Sequence, residues 1–362
     1  VHIPTWGTYV TTPYVSSEKA SVKMEIEIAG TKKGDKLGVT TEILSPDGKI
    51  VATNNAPFIS QGQNHFQNFL ISQPELWSPE NPRLYTARTK IEKNGKIVDC
   101  YDTRFGIRKL EYIPEQGFFL NGKATKFKGV CNHHDLGPLG AAVNKSALRH
   151  QVELMKDMGA NAIRTSHNMP APELVELCDE LGMMLMVEPF DDWSFRPKSP
   201  NGYGAFFNEW ATDDVTNMVK HYRNNPSVVM WSIGNEVPSQ WGPDGVAELT
   251  MLQDLVKKLD ATRPVTCGMD QIGTVLDNGF AASLDIPGFN YKPQYYNKAF
   301  EMLPQKMILG SETASTVSSR GVYHFQVSFE KEHNSVLHPD YQSSSYDNET
   351  CDWSNTPDID FY

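Results

Sequence analysis

Two glutamates, Glu236 and Glu312, follow the short unalternating runs Val228-Val229-Met230-Trp231-Ser232-Ile233-Gly234-Asn235 and Met307-Ile308-Leu309-Gly310-Ser311. Such runs suit strands buried on both faces. A carboxylate just past the end of a strand of this kind is either the partner of a nearby base or a catalytic acid or base. Two carboxyls in one site repel, so that one stays protonated while the other stays ionised. Glycoside hydrolysis uses such a pair: one protonates the leaving oxygen, and the other attacks or activates water.

Further polar residues cluster at what read as the ends of neighbouring strands: Asn132-His133-His134-Asp135, Arg164-Thr165-Ser166-His167-Asn168, Glu188 with Asp191-Asp192-Trp193, and Asn290-Tyr291. Buried polar groups must be satisfied or they cost stability, so polar groups repeated at one rim mark a polar pocket. Arg164 beside the ionised carboxylate would keep it charged, Tyr291 would donate to it, and Asn235 would donate to a sugar hydroxyl. Asp191 and Trp193 are candidates for contacts to the same ligand. A second reading makes His133, His134, His167 and Glu188 the ligands of a hydrolytic metal. Adjacent His-His-Asp side chains diverge, however, and no His-Glu-x-x-His is present. His133 and His167 then hydrogen-bond a polar ligand, while His134 and Asp135 brace a loop. A non-catalytic carbohydrate-binding barrel is the third reading, and the presence of both glutamates weighs against it.

Such a rim needs strands that end at one edge. Residues 1–112 are expected to be all-β: Val22 to Ile28 alternates strictly, Leu37 to Leu44, Phe66 to Ile71 and Leu84 to Glu92 follow, and Lys93-Asn94-Gly95-Lys96 turns the chain into Ile97 to Tyr101. Six or seven strands without a helix predict a small β-sandwich, with the turn-rich Gln73 to Pro82 segment packed at one end. Residues 113–362 read differently. Phe118 to Lys123 is a hairpin, and strands are then expected at 127–131, 160–165, 184–187, 228–233, 264–267, 286–289 and 307–309. Helices fall over 145–158, 172–181, a stretch ending near Tyr222, 245–260 and 293–302. No Gly-x-Gly-x-x-Gly follows an early strand, so the pattern predicts a TIM barrel rather than a doubly wound sheet. Seven βα steps are legible, with Tyr323, Phe325, Val327 and Phe329 in a helical or loop stretch beyond them, so the barrel is expected to be truncated before its eighth strand.

The net charge of −11, from 33 basic and 44 acidic residues without a basic block, excludes nucleic acid and anionic membranes as expected partners. No apolar run is long enough to insert in a membrane. The five scattered cysteines form neither a disulfide framework nor a close-spaced zinc signature.

Ser232-Ile233-Gly234-Asn235-Glu236, Gly129-Val130-Cys131-Asn132-His133-His134, Arg164-Thr165-Ser166-His167-Asn168 and Leu309-Gly310-Ser311-Glu312, in this order and spacing, resemble the family 2 glycoside hydrolases, most nearly their β-galactosidase-like branch. The resemblance implies that 1–112 is an immunoglobulin-like β-sandwich, that 113–362 is the catalytic (β/α)8 TIM barrel, and that a preceding jelly-roll domain is missing. It implies retention of anomeric configuration, with Glu236 as acid/base and Glu312 as nucleophile. Asn235 would bind the hydroxyl next to the anomeric carbon, His133 and His167 would line the sugar subsite, Arg164 would lie near the nucleophile, and Tyr291 would hydrogen-bond it. Departures are visible. Thr313-Ala314-Ser315 replaces the aromatic residue and His that often follow the nucleophile, and Val187-Glu188-Pro189-Phe190 replaces the Asp-Glu-Ala-Asn run of magnesium-using relatives. No required metal or other cofactor is therefore expected. An Asn-x-Lys pair for a uronate carboxylate is not recognisable. The expectation is an exo-acting β-galactosidase on a carbohydrate substrate, with β-glucosidase, β-mannosidase and β-glucuronidase as alternatives. A periplasmic or secreted location is expected, with the cytoplasm and homo-oligomerisation left open.

Overall fold

The computed structural model describes residues 1–60 and 64–313. The expectations for the Tyr323 to Phe329 stretch and for an eighth strand lie outside the described residues.

Seven strands come first: β1 (Thr8–Val15), β2 (Lys19–Ile26), β3 (Lys36–Leu44), β4 (Ile50–Ile59), β5 (His65–Ser72), β6 (Tyr85–Lys93) and β7 (Lys96–Phe105). They form antiparallel sheets ordered β1-β2-β5 and β4-β3-β6-β7, an immunoglobulin-like sandwich whose fourth strand pairs with the third. Alternation decides which face is dry. Ala20, Val22, Met24 and Ile26 of β2, Leu37, Val39 and Ile43 of β3, and Tyr85, Ala87 and Ile91 of β6 share one core. Each large apolar side chain buried there contributes roughly 1.5–3 kcal/mol before entropy is charged against it. Thr41 and Thr89, opposite one another in the β3/β6 register, are buried too, and their hydroxyls satisfy each other at 2.9 Å. Asn94 (φ 55°) and Gly95 (φ 72°) both take the left-handed conformation that a type I′ hairpin requires.

A three-stranded meander follows, β8 (Leu110–Ile113), β9 (Gly117–Leu120) and β10 (Lys123–Ala124). Then come β11 (Gly129–His133), α1 (Lys145–Asp157), β12 (Ala162–Ser166), α2 (Pro172–Leu181), β13 (Met184–Val187), α3 (Phe207–Tyr222), β14 (Val228–Asn235), α4 (Gly245–Leu259), β15 (Val265–Met269), α5 (Ile272–Asp277), β16 (Gly288–Asn290), α6 (Tyr296–Met302) and β17 (Leu309–Glu312). The seven strands β11 to β17 stand in sequence order in one sheet, the order of a TIM barrel through its seventh strand. Two details depart from expectation. The short α5 was not anticipated, and Met158, the last residue of the helix expected over 145–158, caps α1 at 65% exposure while Leu148 and Val152 are buried.

The described residues divide into two compact units: those of Val1–Pro189, Thr212–Trp231 and Leu255–Arg263 form the first, and those of Phe190–Ala211, Ser232–Asp254 and 264–313 form the second. In the first unit a polar network secures the start of β14. The Val228 carbonyl accepts from Arg108 Nη2 (2.8 Å) and Arg263 Nε (2.6 Å), and the Val229 carbonyl accepts from Tyr112 Oη (2.7 Å). Asp260, fully buried, accepts from Arg263 Nη1 (2.5 Å), Trp231 Nε1 (2.9 Å) and Tyr9 Oη (2.7 Å). Burial pushes the Asp260 carboxyl up, but the Arg263 charge and the hydrogen bonds from Thr262 and Tyr9 outweigh it and hold it at about 2. The Gln73 to Pro82 segment packs through Trp77, wholly buried, whose indole N–H donates to the Asp179 carbonyl in α2 (3.0 Å). Gly182 ends α2 in the left-handed conformation (φ 74°), and a Cβ there would lie 2.3 Å from the Pro79 carbonyl oxygen.

Candidate active site

In the second unit the backbone itself marks the site. Glu236 (φ 45°) and Tyr291 (φ 56°), each just past the end of its strand, are in the left-handed region without being glycine. Such residues cost of order 1–3 kcal/mol and persist where surrounding bonds over-determine them. Here the Glu236 N–H donates to the Gly268 carbonyl (2.7 Å) and the Tyr291 N–H to the Glu312 carbonyl (2.6 Å).

The side chains converge on Asn290. Its Nδ2 lies 2.8 Å from Glu236 Oε1, 2.9 Å from Asn235 Oδ1 and 3.3 Å from Glu312 Oε2. Its own carbonyl accepts from Ser311 Oγ (2.8 Å). Tyr291 Oη donates to Glu312 Oε1 at 2.6 Å, within the range of a charge-assisted bond. Asn235 Nδ2 donates to Asp191 Oδ1 (2.9 Å), and Lys198 Nζ donates both to that oxygen (2.9 Å) and to the Asn235 carbonyl (2.8 Å). Burial raises the pKa of Glu236 above the ordinary carboxylate value, and the charges of Asp270 and Glu312 add to the rise. The Asn290 amide and the Lys198 ammonium oppose it. A half-buried carboxyl held up in this way suits a proton donor.

Five of the expected residues, Asn235, Glu236, Tyr291, Glu312 and Asp191, are thus joined by direct bonds or through Asn290. Trp193 requires a correction. It is fully buried, its indole N–H donates to the Ile233 carbonyl (2.9 Å), and its ring packs among Phe207 and Phe280. It has no face to offer a sugar and acts as a wall behind β14. Gly234 makes room for it: a Cβ there would lie 2.8 Å from Trp193 Nε1.

In the first unit, Arg164 and His167 meet on Glu188, which is wholly buried. Arg164 donates from Nε (3.1 Å) and Nη2 (2.8 Å) to Glu188 Oε2, and His167 Nδ1 lies 2.7 Å from Oε1. His133 is exposed and stands edge-on to the His167 ring at 4.9 Å. The four residues of the metal reading are not assembled: His134 is exposed with Nε2 at 3.0 Å from the Ala141 carbonyl, and Glu188 is engaged by Arg164 and His167. Among the described residues no group of three or more His, Cys, Asp or Glu is placed to hold a metal ion.

Sequence reasoning missed three contributions. Asn290 was noted as a polar strand end but not as the amide joining the others. Its signal was its place straight after Gly288-Phe289, where a buried amide must find partners. Lys198 and Ser311 carried no signal beyond their types.

Two family models match the chain: glycosyl hydrolases family 2, TIM barrel domain, over residues 112–334, and glycosyl hydrolases family 2 over residues 1–108. The β-galactosidase BoGH2A of Bacteroides ovatus is 33% identical, with 98% of this chain and 46% of that protein aligned. A putative β-glucuronidase of Formosa agariphila is 37% identical over 88% of this chain and 29% of its own length. The crystal structure of a β-glycosidase from Bacteroides vulgatus superposes with a TM-score of 0.79 at 37% identity, covering 89% of this chain and 40% of that one. The chain therefore spans less than half the length of each of these proteins.

Proposed function

We propose that this chain, which belongs to the glycosyl hydrolases of family 2, carries the catalytic centre of a retaining, exo-acting β-glycosidase that acts on β-galactosides. One observation supports the reading above all: a single amide nitrogen reaches an oxygen of each carboxylate. The Asn290 contacts of 2.8 and 3.3 Å keep Glu236 Oε1 within about 6 Å of Glu312 Oε2, so the two carboxyl groups face one site, as a pair acting on one glycosidic bond requires.

In the first step Glu312, oriented by the Tyr291 hydroxyl, attacks the anomeric carbon as the glycosidic bond breaks. Glu236 gives its proton to the departing oxygen, leaving a glycosyl ester on Glu312 and an ionised Glu236. Glu236 then takes a proton from water, the water oxygen bonds to the anomeric carbon, and Glu312 leaves as a carboxylate. Asn235, fixed by Asp191 and Asn290, contacts the hydroxyl next to the anomeric carbon. The galactoside assignment is supported by the likeness to BoGH2A over almost the whole chain. The likeness to a putative β-glucuronidase makes a β-glucuronide the second substrate to try.

The test is nitrophenol release from a panel of β-linked nitrophenyl sugars, with Glu236→Gln and Glu312→Gln as controls. Turnover of the galactoside, abolished in both controls, is the expected result. Preference for the glucuronide replaces the sugar but keeps the mechanism, and activity surviving Glu312→Gln sinks the mechanism itself.

A further inference from the structure

We infer that Asn290 is a positioning residue for the acid/base: its amide, clamped by Ser311, turns the Glu236 carboxyl so that Oε2 faces the leaving group, and it ties that orientation to Glu312. This rests on the roles proposed above for the two glutamates.

The geometry is specific. Asn290 is wholly buried at the end of β16, opposite Glu312 in the β16/β17 register. Its carbonyl is occupied by the Ser311 hydroxyl, so the NH2 group must point the other way, toward three oxygens. Carboxylate and amide oxygens accept and do not donate, which assigns nitrogen rather than oxygen to that position. Two hydrogens serve three acceptors, and the longest contact, 3.3 Å, is the one to Glu312, which Tyr291 also holds.

Glu236 depends on the amide more heavily. Among the described residues its carboxyl receives one hydrogen bond, from Asn290 to Oε1, and none at Oε2. The terminal torsion of a glutamate is broad and two-fold, so without that bond either oxygen can face the substrate and carry the proton. With it, Oε1 is held as an acceptor and the proton is left to Oε2. The same bond strengthens once Glu236 has given its proton away, because a donor to an ionised carboxylate is roughly twice as strong. Asn290 thus serves both half-reactions without touching substrate.

The experiment is a carboxyl ¹³C NMR titration of glutamate-labelled protein, in which the Glu236 resonance is assigned by its loss in Glu236→Gln. It is paired with hydrolysis of a methyl glycoside, which needs a proton to leave, and of a 2,4-dinitrophenyl glycoside, which does not. In Asn290→Ala the Glu236 midpoint is expected to move to higher pH, and the methyl glycoside is expected to lose at least about tenfold more rate than the dinitrophenyl one. Ser311→Ala, which frees the amide without removing it, is expected to move both readouts the same way by less, and it serves in place of Asn290→Ala if that variant does not fold. An unmoved Glu236 midpoint in a folded variant overturns the inference, as does equal loss on the two substrates. If Glu236→Gln hydrolyses the methyl glycoside like the parent, the proposed function has failed; if it is inactive while the Asn290 and Ser311 variants titrate like the parent, only this inference has.

Discussion

Gly234 precedes Asn235 and Glu236, and Gly234→Ala isolates how tightly the strand beneath the site is held. The added Cβ would lie 2.8 Å from Trp193 Nε1, 3.1 Å from its Cε2 and 3.0 Å from Val237 Cγ1. Trp193 has no room to retreat, being fully buried against Phe207 and Phe280 with its N–H on the Ile233 carbonyl. Overpacking of this kind costs about 1–3 kcal/mol, and breaking the indole bond leaves a buried donor unsatisfied for about another 1–3 kcal/mol. The variant should therefore lose about 2–6 kcal/mol if the tryptophan is displaced, or keep more stability and move Asn235 and Glu236 if the strand yields instead. Displacement of reacting groups by about 1 Å can cost about 100-fold in rate. Urea unfolding followed by tryptophan fluorescence, alongside kcat on a nitrophenyl glycoside, separates these routes. Trp193→Phe introduced into Gly234→Ala should restore part of whichever property is lost, because it removes the atom that clashes. Unchanged stability together with unchanged kcat in Gly234→Ala would refute the reasoning.

Tyr291→Phe removes the 2.6 Å hydrogen bond to Glu312. A bond to a charged group is worth about 1.5–3 kcal/mol, so kcat should fall about 10- to 150-fold with the fold intact by circular dichroism. Thr41→Val leaves the Thr89 hydroxyl only the weak acceptor Met24 Sδ at 3.9 Å and should cost about 1 kcal/mol by denaturant melting, whereas Thr41→Val with Thr89→Val should come back close to the parent. Asp260 titrates at about 2 when folded against an ordinary 3.8. Its contribution is therefore fully present above the unfolded value and is lost as pH falls through the folded one, on the order of 2 kcal/mol. Unfolding midpoints taken downward from pH 5 should fall more steeply for the parent than for Asp260→Asn, and parallel slopes would count against the ion pair.

What the sequence made legible follows from where each element's faces lie. β2, β3, β5 and β6 alternate because one face is dry and the other wet, and the central barrel strand β14 reads as an apolar run because all eight of its residues are buried. β1 and β4 carried no such signal. Both are edge strands, where Pro13 and Pro57 are tolerated, and β4 is largely exposed, so neither must keep a hydrophobic period. α5, six residues long, is too short to show a helical one. Within the site, residue types at strand ends located the carboxylates, Asn235 and Tyr291. Which groups bond to which is a three-dimensional property. Glu188 read as a metal ligand because its partners Arg164 and His167 lie 24 and 21 positions away. Gly234 carried no sign in the sequence that it makes room for an indole. Trp193 read as a sugar platform because composition records that a ring is present and not which side of a strand it occupies.

The bonds at the start of β14 bear on how this molecule could be recombined. Arg108 and Tyr112, at the passage from sandwich to barrel, hold the carbonyls of Val228 and Val229, while Tyr9 of the first sandwich strand holds Asp260. The Thr8 carbonyl and Val10 N–H are likewise occupied by Asn224 (3.0 and 2.8 Å). A crossover placed near residue 110, where the fold changes from sheets to barrel, would leave Tyr112 with Val229 but part the other pairs. A chimera taking its sandwich from a relative keeps the bonds at the start of β14 only if the donor carries the matching Tyr9 and Arg108. Through Thr8, Tyr9 and Val10 the sandwich is in this sense a brace for the start of β14.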